Sequence, residues 1–152
     1  GGKIGVMLEL ETGKDLSTDA AFATTCHDIA MHIAAISPKY VYETEVPKEE
    51  VDHEMSILKA QALNDDKFKG KPEAIVEKML QGKINKYFKE ICLVEQEFVK
   101  DSSMTVGKVV DELAKKFGTT VKIVKFARLT MGEGLEKKVD NLAEEVAKMQ
   151  NK

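Results

Sequence analysis

Residues 47–90 read PKEEVDHEMSILKAQALNDDKFKGKPEAIVEKMLQGKINKYFKE, and the recurrence of their apolar positions decides the fold. Pro47 suits the first position of a helix, where its missing N–H is not needed, and Glu49 and Glu50 suit the positive N-terminal end. Val51, Met55, Leu58 and Ala62 then step by four, three and four. After a polar turn over 64–71, Pro72 can open a second helix. Its Val76, Leu80, Ile84 and Tyr87, flanked by Ile75, Met79 and Phe88, make one broad stripe. Two helices joined by so short a turn are antiparallel neighbours. The stretch therefore predicts an αα-hairpin whose narrow apolar seam lets it project like a coiled coil.

On the N-terminal side, Ile4, Val6, Leu8 and Leu10 alternate with Gly5, Met7 and Glu9, the period of a strand with one buried face. A loop over 14–19 follows, and Ser17 or Thr18 is a candidate cap for the next helix. There Phe22, Cys26, Ile29, Ile33 and Ile36 recur at helical steps until Ser37-Pro38 stops them. Residues 40–46 read as a short extended connector. On the C-terminal side, 91–100 read as irregular or extended, and Ser102 or Ser103 is a candidate cap for a helix carrying Val106, Val109, Val110, Leu113 and Phe117. Gly118 fits the position just past its end. Residues 121–131 read as a strand with Val121, Ile123 and Lys125 on one face and Val124 and Phe126 on the other. A last helix places Leu135, Val139, Leu142, Val146 and Met149 on one stripe.

That order of elements predicts an α+β fold: a small antiparallel sheet packed by helices, an inserted helical hairpin and a C-terminal amphipathic helix. The parts fall at 1–46 and 91–131 for the two pieces of the body, 47–90 for the hairpin and 132–152 for the C-terminal module. At 152 residues, folding can remove roughly 70% of the unfolded surface from water, so no disulfide or metal staple is required.

Composition narrows the function classes. With 43% hydrophobic and 32% charged residues and a net charge of −3, the chain has no basic excess for neutralising phosphates, which argues against a nucleic-acid partner. No apolar run approaches the ~20 residues of a membrane helix. Cys26 and Cys92 are too few for a disulfide framework and suit a reducing cytoplasm. The chain opens at Gly1 within strand-like sequence, which is the expectation for a piece of a longer protein.

Residues that carry chemistry are scarce. Gly132-Glu133-Gly134 lacks the remaining glycine and the Lys-Ser/Thr of a phosphate loop and reads as a break between strand and helix. His27 and His32 would sit ~140° apart around a helix and cannot share one ion, and Cys26 diverges from both. The bland reading places Cys26 in the core and the histidines at its margin or against a partner. Adjacent carboxylates (Glu49/Glu50, Asp65/Asp66, Glu144/Glu145) point apart and read as solvated charges. No nucleophile elbow or triad spacing is present. The expectation is a binding module and not an enzyme, with no cofactor, metal or small-molecule substrate. Its best candidate surface is the last helix, whose apolar residues are worth roughly 1.5–3 kcal/mol each if buried, on the protein's own core or on a partner.

Several words of the sequence resemble the elongation factor Ts family. Gly2-Lys3-Ile4-Gly5-Val6 looks like a core strand of that family, and Asp28-Ile29-Ala30-Met31-His32-Ile33-Ala34-Ala35 matches one of its helices almost letter for letter. Residues 57–62, 71–79 and 82–88 are similar to its coiled-coil hairpin, and 95–101, 105–107 and 132–138 continue the likeness over essentially the whole chain. The resemblance implies a cytoplasmic translation factor that binds elongation factor Tu, GDP-bound and nucleotide-free, and promotes GDP release as a guanine nucleotide exchange factor. The candidate partner-binding residues are Leu135, Val139, Leu142, Val146 and Met149 on the last helix, together with His32. Two features depart from the family: its Thr-Asp-Phe-Val motif, which intrudes on the partner's nucleotide-binding domain, and its N-terminal helical domain are not found here and are expected upstream of Gly1. Weak partner binding and poor exchange are the corresponding expectation. The loop over 10–21 also runs longer than expected. The competing expectation is a homodimer built through the hairpin or the sheet edge, a structural module without exchange activity of its own.

Overall fold

The computed structural model describes residues 2–64, 68 and 71–134, an α+β arrangement with two small antiparallel sheets. Strand β1 (Ile4–Thr12) pairs antiparallel with β4 (Val121–Thr130), so the first and last described elements lie side by side. Between them run α1 (Ala20–Ile36), α2 (Lys48–Asn64), α3 (Glu73–Ile91), the two-residue β2 (Glu97–Phe98), β3 (Asp101–Thr105) and α4 (Val106–Phe117).

The β1–β4 ladder contains a bulge. Glu9 faces Lys125 and Leu10 faces Ile123, which leaves Val124 as an extra residue on β4. Strict alternation predicts Val121 and Ile123 on one face and Phe126 on the other. The extra residue resets the alternation, so Ile123 is fully buried and Val121 and Phe126 both pack against the same core. Val124 is left 37% exposed. On β1 the expected inner residues Val6, Leu8 and Leu10 do line that core, while Ile4 at the strand's start is 44% exposed.

Helix α1 covers the inner face with Ile29 and Ile33, both fully buried. Its cap is Asp19, which accepts the Phe22 N–H at 2.9 Å. Ser17 and Thr18 are displaced from that role because Ser17 is drawn into a turn, its N–H bonded to Asp15 Oδ1 at 2.9 Å, while Leu16 tucks inward. The helix ends where Ser37 takes a left-handed conformation (φ 58°) just before Pro38, and Ile36 is left at the exposed end.

Ser102 and Ser103 do not cap α4 either. They lie in β3, and Thr105 is the cap, its Oγ1 accepting the Lys108 N–H at 3.3 Å. Gly118 terminates α4 at φ 58°, and the Thr119 N–H reaches back to Ala114 C=O at 3.1 Å, a closure that needs a residue at ease in the left-handed region. Val106, Val110 and Leu113 turn inward, and the first two join Phe98, Leu93 and Val41 in the core beneath the sheet.

Helices α2 and α3 share a second core, in which Leu58 and Ala62 meet Leu80, Ile84 and Phe68. Ile75, a stripe residue by sequence, is 48% exposed. The chain enters and leaves this helical pair at one place. Tyr40 bridges Cys92 in parallel register, the Leu93 N–H donates to Tyr40 C=O at 2.8 Å, and the Tyr40 N–H donates to Ile91 C=O at 3.1 Å. Residues 40–46, expected to be extended, instead include a short 3-10 turn at Glu43–Glu45, with Glu45 carboxylate accepting the Val41 N–H at 2.8 Å.

Because the bulge puts Ile123 in the core and Val124 outside it, the two residues should respond very differently to truncation. Ile123→Ala is expected to cost about 2–4 kcal/mol in urea unfolding and Val124→Ala less than about 1 kcal/mol. Similar losses at both positions would mean that the bulge lies elsewhere.

Candidate functional site

The described residues hold no group of three or more His, Cys, Asp or Glu side chains able to hold a metal, and no helix among them is long and apolar enough to cross a membrane. Their larger concavities are open grooves. One of about 520 Å³ is lined by Ile36 at the end of α1, Lys86, Lys89 and Glu90 on α3, and Glu95, Gln96, Glu97 and Thr105 beyond it. Its lining mixes the apolar Ile36 with charges of both signs.

His32 stands behind this groove. The sequence places it at a margin where it could touch a partner, but it is fully buried. The helical step that puts Ile29 and Ile33 inward also carries His32, beside Ile29, to the core side. Its Nε2 lies 2.9 Å from Gln96 Oε1, Gln96 Nε2 donates to Glu90 C=O at 2.8 Å, and the Val99 N–H donates to His32 Nδ1 at 3.3 Å. With Nδ1 accepting, Nε2 carries the proton and donates to Gln96, so the ring is neutral. His32 thus reaches the groove only through Gln96. It positions the strand pair β2–β3 and the end of α3 against α1, aided by Asp28 and Lys100 at 2.6 Å.

A second polar cluster sits at the root of the helical pair. Glu50, in the first turn of α2, accepts the Tyr40 hydroxyl at 2.6 Å and the Tyr87 hydroxyl at 2.7 Å, with Lys39 Nζ at 3.4 Å. One carboxylate therefore joins the connector, α2 and α3. The Tyr40 hydroxyl, then that of Tyr87, holds the Glu50 carboxyl below the usual carboxylate range. Burial first, then the hydrogen bond to Glu50, pushes the Tyr87 phenol far above its ordinary value. Sequence reading saw Glu50 as a helix-end charge and Tyr87 as a stripe residue. Gln96 carried no periodic signal at all, since its partner lies 64 positions away.

Of the candidate contact residues, Leu135, Val139, Leu142, Val146 and Met149 lie outside the described residues. A sequence profile described as Elongation factor TS matches residues 1–133. The chain belongs to the elongation factor Ts family. It is similar to elongation factor Ts of Desulfitobacterium hafniense at 49% identity, over all of this chain and 69% of that protein. It is 48% identical to that of Acetivibrio thermocellus, over 99% of this chain and 68% of the relative. Against the longer elongation factor Ts of Clostridioides difficile the identity is 47%, over 97% of this chain and 46% of that protein. The family places the chain among translation elongation factors and extends over both structural parts, the sheet-bearing body and the helical pair, together with the His32 and Glu50 clusters that join them.

Two outcomes follow from these clusters. Burial lowers the His32 pKa, against a weaker opposing effect of the Gln96 hydrogen bond. The unfolded chain then binds more protons than the folded one just below the ordinary histidine value. Stability should be full above about pH 6.5 and fall as the pH drops through that region. Urea midpoints should show the decline, and His32→Gln should flatten it; an unchanged slope in the variant would assign the pH dependence to other groups. For the second cluster, Glu50→Gln should bring the Tyr87 ionisation down towards the ordinary range in an ultraviolet titration, with the part caused by burial remaining. No movement would mean that Glu50 and Tyr87 are not in contact in solution.

Proposed function

We propose that the chain binds elongation factor Tu and speeds its loss of GDP by binding energy alone, as a guanine nucleotide exchange factor with no covalent chemistry of its own. The observation that carries the proposal is the family match over residues 1–133. The mechanism is reciprocal linkage: a factor that binds the nucleotide-free partner more tightly than the GDP complex must weaken GDP by the same factor. A discrimination of about 2–3 kcal/mol corresponds to a 30- to 150-fold change in GDP affinity.

In this reading the α2–α3 pair projects as a coiled-coil hairpin and the stripe Leu135, Val139, Leu142, Val146 and Met149 forms a C-terminal helix that adds to the contact. The open groove beside Gln96 offers a further docking surface on the body, with His32 and Glu50 holding its two sides in register. The site of action is the cytoplasm, where translation proceeds.

Titration calorimetry against nucleotide-free and GDP-bound elongation factor Tu, with release of a fluorescent GDP analogue followed in parallel, tests this. Tighter binding to the nucleotide-free form with faster release is the expected result, and Leu142→Ala with Val146→Ala should weaken binding while the fold survives. Equal affinity for both forms would exclude exchange by linkage. Absence of binding to either would remove elongation factor Tu as the partner of this chain.

A further inference from the structure

The helical pair and the body have separate cores. The residues that pack between α2 and α3 and those that pack beneath the sheet have no member in common. A small third cluster lies at the root, with Val46, Ile91 and Cys92 buried and Tyr40, Val51, Tyr87 and Phe88 packed on it. Val51, Tyr87 and Phe88 also belong to the core of the pair, so this cluster is the apolar joint between the two parts. Such a joint resists being pulled apart, because opening it would wet apolar surface. It resists turning poorly, because apolar contact has no preferred direction.

The two helices are not held alike at this joint. Main-chain bonds fix the end of α3: Ile91 C=O accepts the Lys39 and Tyr40 N–H groups at 2.9 and 3.1 Å, and the Leu93 N–H returns to Tyr40 C=O at 2.8 Å. Gln96 Nε2 adds a bond to Glu90 C=O at 2.8 Å. Among the described residues α2 has no main-chain bond to the body, and its side-chain bonds to the body come from Glu50 alone. The Tyr40 hydroxyl donates to that carboxylate at 2.6 Å, and Lys39 Nζ stands at 3.4 Å. Lys39 is 62% exposed, so its pair with Glu50 is screened by water and adds little. The bond from the Tyr87 hydroxyl to Glu50, at 2.7 Å, lies within the helical pair and ties α2 to α3. One short hydrogen bond therefore carries the directional hold of the body on α2.

We propose that the Glu50–Tyr40 hydrogen bond is a latch on a hinge: closed, it fixes the direction of the α2–α3 pair, and open, it lets the pair turn as a unit about the end of α3 with both cores intact. A carboxylate and a phenol suit that use. Their bond is short and directional while it is made. Its loss strands neither partner, because the Glu50 side chain is 26% exposed and water can take the place of the lost bond.

Residual dipolar couplings of the full chain, read from backbone amides by NMR in a weakly aligning medium, test this. They average over motion up to the millisecond range, in which hinges move. In the wild-type chain the couplings of α2, α3 and the body should fit one alignment tensor. Tyr40→Phe keeps the ring that packs at the joint and removes only the hydroxyl. The couplings of α2 and α3 should then lose magnitude together, while those of β1, β4, α1 and α4 stay as they were. Glu50→Ala, which opens the latch from its wetter side, should have the same effect. Tyr87→Phe leaves the Glu50–Tyr40 bond in place and should keep one tensor for the whole chain. Amide chemical shifts of the body report that each variant is folded. A single undiminished tensor in either Tyr40→Phe or Glu50→Ala would overturn the proposal. So would a wild-type chain whose helical pair is already averaged, or a loss in Tyr87→Phe equal to that in Tyr40→Phe.

Discussion

A two-stranded sheet is marginal by itself, and this fold depends on one built from the two ends of the described chain. The ladder between β1 and β4 can persist only if its inner face is sealed, and the seal comes from the helix that follows β1 and the helix that precedes β4. Ile29 and Ile33 from α1 and Val106 and Val110 from α4 meet over Ile123, so each helix is anchored by a strand that it helps to bury. The bulge at Val124 lets Ile123 and Phe126 both serve that core although three positions separate them.

With the body closed by these two strands, the α2–α3 pair enters and leaves through a narrow gap. The short parallel stitch of Tyr40 and Val41 with 91–94 holds the gap shut. Glu50 then fastens the helical pair to that stitch through two tyrosine hydroxyls. The His32–Gln96 network fastens the following strand pair to α1. Such construction keeps the parts in a fixed relation, because polar contacts with defined geometry hold it better than apolar packing, which tolerates sliding.

Local pattern was informative wherever one residue's neighbours in sequence are also its neighbours in space. The alternation of Val6, Leu8 and Leu10 predicted the inner face of β1, and the steps from Val51 to Ala62 and from Val76 to Tyr87 predicted the seam shared by α2 and α3. Gly118 announced the end of α4 by its freedom at positive φ. The failures have a common cause. Asp101 to Thr105 has little intrinsic strand preference, and becomes β3 through pairing with β2, whose Phe98 is buried in the core. Asp19 displaced Ser17 as a cap because the Asp15 side chain had already engaged Ser17. Those competitions turn on contacts that hydropathy does not encode.

The sequence by itself determined the class of fold, the described helices α1 to α4, the outer strands and the family, because each is carried by residue type at short spacing. Tertiary structure alone decided that His32 lies inside and not at a surface, that Glu50 joins three segments, that β4 bulges at Val124, and that Met7 is set beside Ala127 across the sheet. Each of these depends on partners separated by ten to more than a hundred positions, from Tyr40 with Glu50 to Met7 with Ala127. A periodic pattern reports which side of an element is apolar, and only the assembled chain determines what that side meets.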